Sequence, residues 1–235
     1  VEADGVIVAS PSMLHGEQTM QALRAGFSVM VEKPLAASLP EAVDVVKTAR
    51  ESGRTVMVAE NYRFFQGERT LHKYLAEGKA GRIHAVYCVD RRDQPPGSQG
   101  PWVKSMPEPF LMEIAVHHFD SFRYLFDAKP EAVWARTYNP NGSDYDQNGA
   151  AEALIEMQDG LSVQYSGSFV GSRYEFDLLI CGEYGDLRTN RSKVWWRAKG
   201  QKSFGELPLV DLPPGEGARY PSAGMQSLLN QFREA

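Results

Sequence analysis

No stretch of this 235-residue chain approaches the ~20 consecutive apolar residues that a membrane-spanning helix requires. Cysteine is nearly absent: Cys88 and Cys181 both sit in strand-like segments without metal-ligand spacing. They read as reduced core thiols of a cytosolic protein and exclude a disulfide framework. A basic surface is missing as well. The 25 Lys and Arg residues are outnumbered by 30 Asp and Glu, and they are scattered apart from Arg91-Arg92, so no groove for nucleic acid is expected. Neither CxxC, HExxH nor GxSxG occurs, which removes the usual zinc and serine-hydrolase signatures. The absence with the largest consequence is that of G-x-G-x-x-G, the loop that cradles a dinucleotide pyrophosphate.

What remains is a composition able to build a core: 43% hydrophobic and 11% aromatic, with 23% charged. The first sixty residues alternate strand and helix. Val6 to Ala9 is an apolar run closed by Ser10-Pro11-Ser12, and His15 to Arg24 reads as a helix ended by Gly26. Phe27 to Val31 is a second strand, Ser38-Leu39-Pro40-Glu41 opens a second helix that Gly53 ends, and Thr55 to Ala59 is a third strand. Such spacing implies parallel pairing through right-handed crossovers, as in half of a doubly wound dinucleotide fold.

After Arg63 the pattern changes. A helix (Gln66 to Glu77) precedes a strand (Ile83 to Asp90), a Pro/Gly-rich loop (Gln94 to Pro109) and a helix from about Glu113 to Phe126. From Ala132 the signal is mostly β, with hairpins at Gln158-Asp159-Gly160 and Gly182-Glu183-Tyr184-Gly185 and a single strand expected over Asp186 to Trp196. The expected fold class is therefore α/β: a partial Rossmann-like parallel sheet (residues 1–62), then an α+β domain with a mostly antiparallel open sheet and helices on one face (residues 63–235). Both ends read as interruptions. The chain opens on Val1-Glu2-Ala3-Asp4 just before a strand, and it stops inside the helical spacing of Ser227 to Arg233.

Candidate chemistry concentrates on one helix. At about 100° per residue, Glu113, His117, Asp120 and Tyr124 form one stripe, while Leu111, Ala115, Phe119, Phe122 and Phe126 oppose it. A carboxylate four residues from an imidazole can orient the ring and favour its charged form, which suits an acid–base pair. The competing reading is a polar face turned to water. Adjacent His117 and His118 point about 100° apart and cannot easily share an ion, so no metal site is expected. Lys33 follows a strand at the carboxyl edge of the sheet, where ligands of open α/β sheets bind, and Pro34 constrains its turn.

In this order the motifs Ser10-Pro11-x-x-x-His15, Ala22-Leu23-x-Ala25-Gly26, Val31-Glu32-Lys33-Pro34-Leu35-Ala36, Arg63-Phe64, Gly78-x-x-Gly81-Arg82-Ile83, Trp102, Glu113-x-x-x-His117-x-x-Asp120 and Gly182-x-x-Gly185 span almost the whole chain. The sequence resembles the glucose–fructose oxidoreductase/inositol dehydrogenase/rhizopine-catabolism (Gfo/Idh/MocA) family. The resemblance implies an NAD- or NADP-dependent oxidoreductase acting on a secondary hydroxyl of a sugar or polyol. A lyase using transient oxidation and a non-enzymatic sugar or nucleotide sensor are the alternatives. It implies Lys33 as the residue holding the reacting oxygen and His117 as general base. Glu113 stands where the family has aspartate, one methylene shorter. Ser10, Pro11, His15 and Glu32 match positions lining the nicotinamide half of the cofactor, with Asn61 and Arg63 near the same edge, and Trp102 matches a residue of the substrate pocket. By the same comparison roughly 60 residues of strand, Gly-rich turn and helix are missing. Weak NAD(P) binding by these residues alone, an unpaired hydrophobic first strand and homo-oligomerisation through the β-rich domain are the corresponding expectations.

Overall fold

The computed structural model describes residues 3–98, 100–218 and 222–235; Val1-Glu2 of the opening and Gln99 of the Pro/Gly-rich loop lie outside them. The chain divides into two compact units, residues 1–61 with 224–235, and residues 62–223.

The first unit is built on three parallel strands, β1 (Gly5–Val8), β2 (Ser28–Val31) and β3 (Val56–Val58), with β2 in the centre. Val29, Met30 and Val31 of β2 are all buried, which is why that strand reads as a continuous apolar run. Helices α1 (His15–Arg24) and α2 (Leu39–Ser52) make the crossovers, burying Leu23, Val45 and Ala49 against Val8, Val29 and Val31. Helix α2 starts where expected: the Ser38 hydroxyl accepts the Glu41 N–H at 3.4 Å, and the chain leaves the helix at Gly53 with φ 62, a left-handed cap that glycine adopts without strain. Among the described residues β1 pairs only with β2, and its Ile7 is 56% exposed.

One boundary differs from the sequence expectation. The last helix, α5 (Met225–Glu234), groups with the first unit rather than the second. Its Leu228 is fully buried, its Phe232 ring packs where Gly5 carries no side chain, and the Thr55 hydroxyl donates to the Ala235 carbonyl at 3.3 Å. An amphipathic helix settles on whichever apolar surface is open to it, and order along the chain does not reveal which.

The second unit begins with α3 (Gln66–Ala76) and β4 (Ile83–Asp93). A π-helical turn (Leu111–Ala115) runs into α4 (Val116–Phe126), followed by β5 (Pro130–Tyr138), β6 (Ala150–Met157) and β7 (Ser162–Ser168). The remaining strands are β8 (Val170–Gly182), β9 (Gly185–Thr189), β10 (Val194–Ala198) and β11 (Gly205–Leu207). They form one eight-stranded sheet of order β11-β10-β9-β8-β4-β7-β6-β5, antiparallel except for β4 with β7. Its pleat separates two faces. Val163, Val86, Ile180 and Leu187 are register partners across four adjacent strands, fully buried in a core with Ile114 and Phe122. One residue away, the row Trp134, Leu154, Gln164 and Tyr87 lies on the other face, where its three apolar members are 40–56% exposed.

The stretch Asp186 to Trp196, expected as a single strand, is a hairpin of β9 and β10. Its turn is an Asx motif in which the Asn190 Oδ1 accepts the N–H groups of Ser192 (3.1 Å) and Lys193 (2.9 Å), and Arg191 stands at φ 73. The short β11 had no counterpart in the sequence reading.

Candidate active site

In the first unit the candidate residues stand on the turns after the parallel strands. Ser10-Pro11 follows β1, Glu32-Lys33-Pro34 follows β2 and Asn61 closes the segment after β3, all at the carboxyl edge. Backbone bonds carry the ladder into these turns: the Glu32 N–H donates to the Val8 carbonyl and the Ala59 N–H to the Val31 carbonyl, both at 2.8 Å. The Lys33–Pro34 peptide is cis, and the Lys33 N–H donates to the Glu32 carboxylate at 3.2 Å. Ser10 donates its hydroxyl to Gln18 at 2.7 Å. His15 is fully buried, with Nδ1 2.7 Å from the Pro34 carbonyl oxygen and Nε2 2.8 Å from that of Ser10. Its ring nitrogens are thus taken up in tying the turn after β1 to the lysine turn. His15 thus braces the edge from beneath.

In the second unit the polar stripe of α4 is not laid out as a straight α-helix predicts. Glu113 belongs to the π turn, whose wider spiral changes the angle between it and the residues above. Glu113 and His117 are both buried, at 8% and 6% exposure. Their neighbours on the stripe are occupied elsewhere. Asp120 takes a bidentate hydrogen bond from the Arg63 guanidinium (Nε to Oδ2, 2.5 Å), and Tyr124 stacks on His72 with ring centroids 4.4 Å apart. Arg63, expected at the cofactor edge, therefore anchors the turn before α3 to α4. His117 stacks on Tyr62, centroids 4.0 Å apart and planes 13° from parallel. Trp102 is half-buried against the core and occupies the space a side chain on Gly100 would need. Burial and the nearby Glu113 carboxylate push the Tyr145 hydroxyl up to about 12, and it donates to the Gln94 carbonyl at 2.9 Å.

Sequence reasoning missed a buried ionic cluster beside this helix. Asp90, fully buried on β4, takes bonds from Arg92 Nε (2.8 Å) and Nη2 (2.9 Å), and its Oδ2 lies 3.2 Å from His118 Nε2. Burial alone would raise this carboxyl. The bonds from Arg92 and His118, and their charges, outweigh that and hold it well below the usual range. Burial pushes the His118 ring down to about 3, opposed by its bond to Asp90 and assisted by the charge of Arg191. Its Nδ1 lies 2.9 Å from the Tyr165 hydroxyl and its Nε2 2.6 Å from Arg191 Nη2. Arg191 also bonds Glu68 at 3.1 Å, and burial raises the Glu68 carboxyl against that attraction. One sequence signal was available. Asp90 falls in phase with Val86 and Cys88, the inward positions of β4, so the strand's alternation places a charge in the core. Among the described residues no group of His, Cys, Asp and Glu is arranged to hold a metal.

Comparison with known proteins agrees with this architecture. The oxidoreductase family with an NAD-binding Rossmann fold (GFO_IDH_MocA) matches residues 1–60, and the GFO/IDH/MocA C-terminal domain matches residues 69–188. The chain belongs to the GFO/IDH/MocA family. It is 31% identical over 195 residues to the 1,5-anhydro-D-fructose reductase of Ensifer adhaerens, covering 79% of this chain and 56% of the relative. It is 28% identical to the inositol 2-dehydrogenase of Rhodococcus erythropolis over 78% of this chain and 52% of that protein. The chain thus spans about half the length of the curated relatives it matches. In fold it superposes with a TM-score of 0.79 on an inositol dehydrogenase homologue of Azotobacter vinelandii complexed with NADH and myo-inositol. That match is 21% identical and covers 97% of this chain and 64% of the neighbour. No helix among the described residues is long and apolar enough to cross a membrane.

Proposed function

We propose that this chain works in an NAD(P)-dependent oxidoreductase that transfers hydride between nicotinamide and a secondary hydroxyl of a sugar, polyol or related compound. The observation that carries the reading is membership of the family together with the Glu32-Lys33-Pro34 turn at the carboxyl edge of a parallel sheet, where such sheets bind ligands. The residues fit the nicotinamide end of a dinucleotide. Ser10, Pro11, Glu32, Lys33 and Asn61 share that edge, and His15 braces it from beneath. The cofactor would supply the hydride acceptor at its C4 position. The Lys33 ammonium donates a hydrogen bond to the reacting oxygen, and His117 takes the hydroxyl proton as the carbonyl forms. Glu113 orients the substrate from the same helix, and the Trp102 indole offers an apolar face to a sugar's C–H surface.

The test is reduction of NAD+ or NADP+ by the complete protein with inositols and anhydro-sugars, the compounds named for its relatives. Lys33→Ala and His117→Ala should each lower turnover about 10²-fold or more. Near-normal rates in both would overturn the assignment. The 235 residues contain no G-x-G-x-x-G loop, so this chain by itself should bind NAD(P) weakly, and saturable micromolar binding in calorimetry would contradict this. The exposed Trp134, Leu154 and Tyr87 on the open sheet face support pairing of two copies there. A Trp134→Glu variant should then be monomeric in light scattering where the parent is not.

A further inference from the structure

We infer that Tyr62 and Arg191 are positioning residues for His117, forming with Phe176 a stack four layers deep that fixes the plane of the imidazole. The role assigned to His117 rests on the function proposed above, whereas the stack itself does not. The Tyr62 ring lies 4.0 Å from the His117 ring and nearly parallel to it. The Arg191 guanidinium carbon lies 4.1 Å from the Tyr62 centroid. Two groups cannot share one face of a ring at that distance, so His117 and Arg191 cover opposite faces. The same guanidinium lies 3.8 Å from the Phe176 centroid, which closes the stack from below.

The guanidinium layer is held from the side. The backbone of Arg191 is in the left-handed region at φ 73, a conformation that costs a non-glycine residue energy, and its N–H donates to the Thr189 hydroxyl at 3.0 Å. Its guanidinium bonds Glu68 at 3.1 Å and meets His118 Nε2 at 2.6 Å, with Asp90 at 3.9 Å, so it cannot swing out without breaking a buried ion pair. A flat, delocalised cation with two usable faces suits the layer between two rings. A lysine ammonium supplies the charge without the plane. An imidazole on a helix otherwise turns about two side-chain bonds, and a general base works only when its nitrogen is aimed at the proton.

The experiment follows the ring signals of His117 by NMR in histidine-labelled protein, assigned by their loss in His117→Ala, alongside kcat and KM in the complete protein. In Tyr62→Leu the His117 ring signals should leave their ring-current-shifted positions, and kcat should fall about tenfold or more with the cofactor KM little changed. Tyr62→Phe keeps the layer and should restore both signals and rate. Arg191→Lys keeps the charge and loses the plane, and should shift the His117 signals in the same direction. Should Tyr62→Leu fail to fold, Arg191→Lys carries the test. Ring signals unmoved by the loss of a layer, or moved with kcat retained, would overturn the inference. Undiminished turnover in His117→Ala would instead overturn the functional reading, and the ring signals would still judge the stack.

Discussion

The two units hold their chemical groups in opposite ways. In the first, Ser10, Glu32 and Lys33 are carried on turns whose geometry comes from backbone ladder bonds, with His15 joining two carbonyls beneath them. In the second, His117 is held by side chains: an aromatic and guanidinium stack seated on the buried charges of Asp90, Arg92, Arg191 and Glu68. A group placed by backbone can be altered with little effect on stability, because its neighbours do not depend on it. A group placed by buried charge is coupled to the fold, and changes there should cost stability and function together.

Among substitutions that only remove a group, the largest effect should come from Asp90→Ala. It removes the carboxylate that Arg92, His118 and Arg191 all face, and leaves cations buried without their partner. Breaking a buried ion pair from one side costs about 3–5 kcal/mol, whereas Lys33→Ala in the first unit should stay within about 0.5 kcal/mol. Urea denaturation of both variants measures the contrast directly, and comparable losses would erase it.

A weaker perturbation of the same cluster is acid. Burial holds the folded His118 at about 3, against an ordinary histidine value near 6.5. Between those values the unfolded chain binds a proton that the folded chain does not, so stability is present above about 6.5 and is lost as pH falls toward 3. Asp90, depressed below its usual 3.8, adds to the loss at the acid end. Glu68, raised above 4.5, works the other way and gives back some stability on acidification. Melting temperature followed from pH 7 to 5 should fall with a slope worth up to about 1.4 kcal/mol per pH unit for His118, and His118→Gln should flatten it. Parallel slopes for parent and variant would show that His118 is not the titrating group.

In the first unit the comparable change is His15→Leu, which leaves the Ser10 and Pro34 carbonyls without their ring partner. A buried polar group left unsatisfied costs about 1–3 kcal/mol. Because the lost link bears on the lysine turn, kcat should fall as well, although His15 itself takes no part in proton transfer. A stability loss with kcat unchanged would mean that the turn is held by its ladder bonds alone.

Much of this was legible in the sequence where the signal is local. The Ser38 cap, the glycine exit at Gly53, the alternation over residues 6–58 and the two hairpin turns all depend on residues close together in the chain. The family motifs likewise single out Lys33, which follows β2 at the carboxyl edge, and His117, which lies on α4. What stayed hidden was set by distant partners. Asp90, His118 and Arg191 meet from β4, α4 and the β9–β10 turn, and the turn that aims Arg191 inward is masked in the sequence because Val194, Trp195 and Trp196 prolong the apolar strand signal. The stripe on α4 was recovered only in part. The π turn changes its pitch at Glu113, and Arg63 and His72 engage two of its four members.

The smallest effect should appear at β1. Ile7 lies on the strand that pairs on one side only and is 56% exposed, while Val31 on central β2 is fully buried. Ile7→Lys should therefore change the stability of this chain by no more than about 0.5 kcal/mol, and a charge on an open edge should reduce self-association in light scattering. Val31→Lys, by contrast, buries an unpaired charge and should prevent folding of the unit. The pair of measurements also bears on what covers the outer edge of β1. If a longer form of the protein supplies strands that cover β1, Ile7→Lys in that form should cost about 2 kcal/mol or more, as expected for a buried aliphatic side chain. A substitution that is neutral in both forms would mean that the outer edge of β1 stays open, and that the sheet bearing Lys33 is complete with three strands.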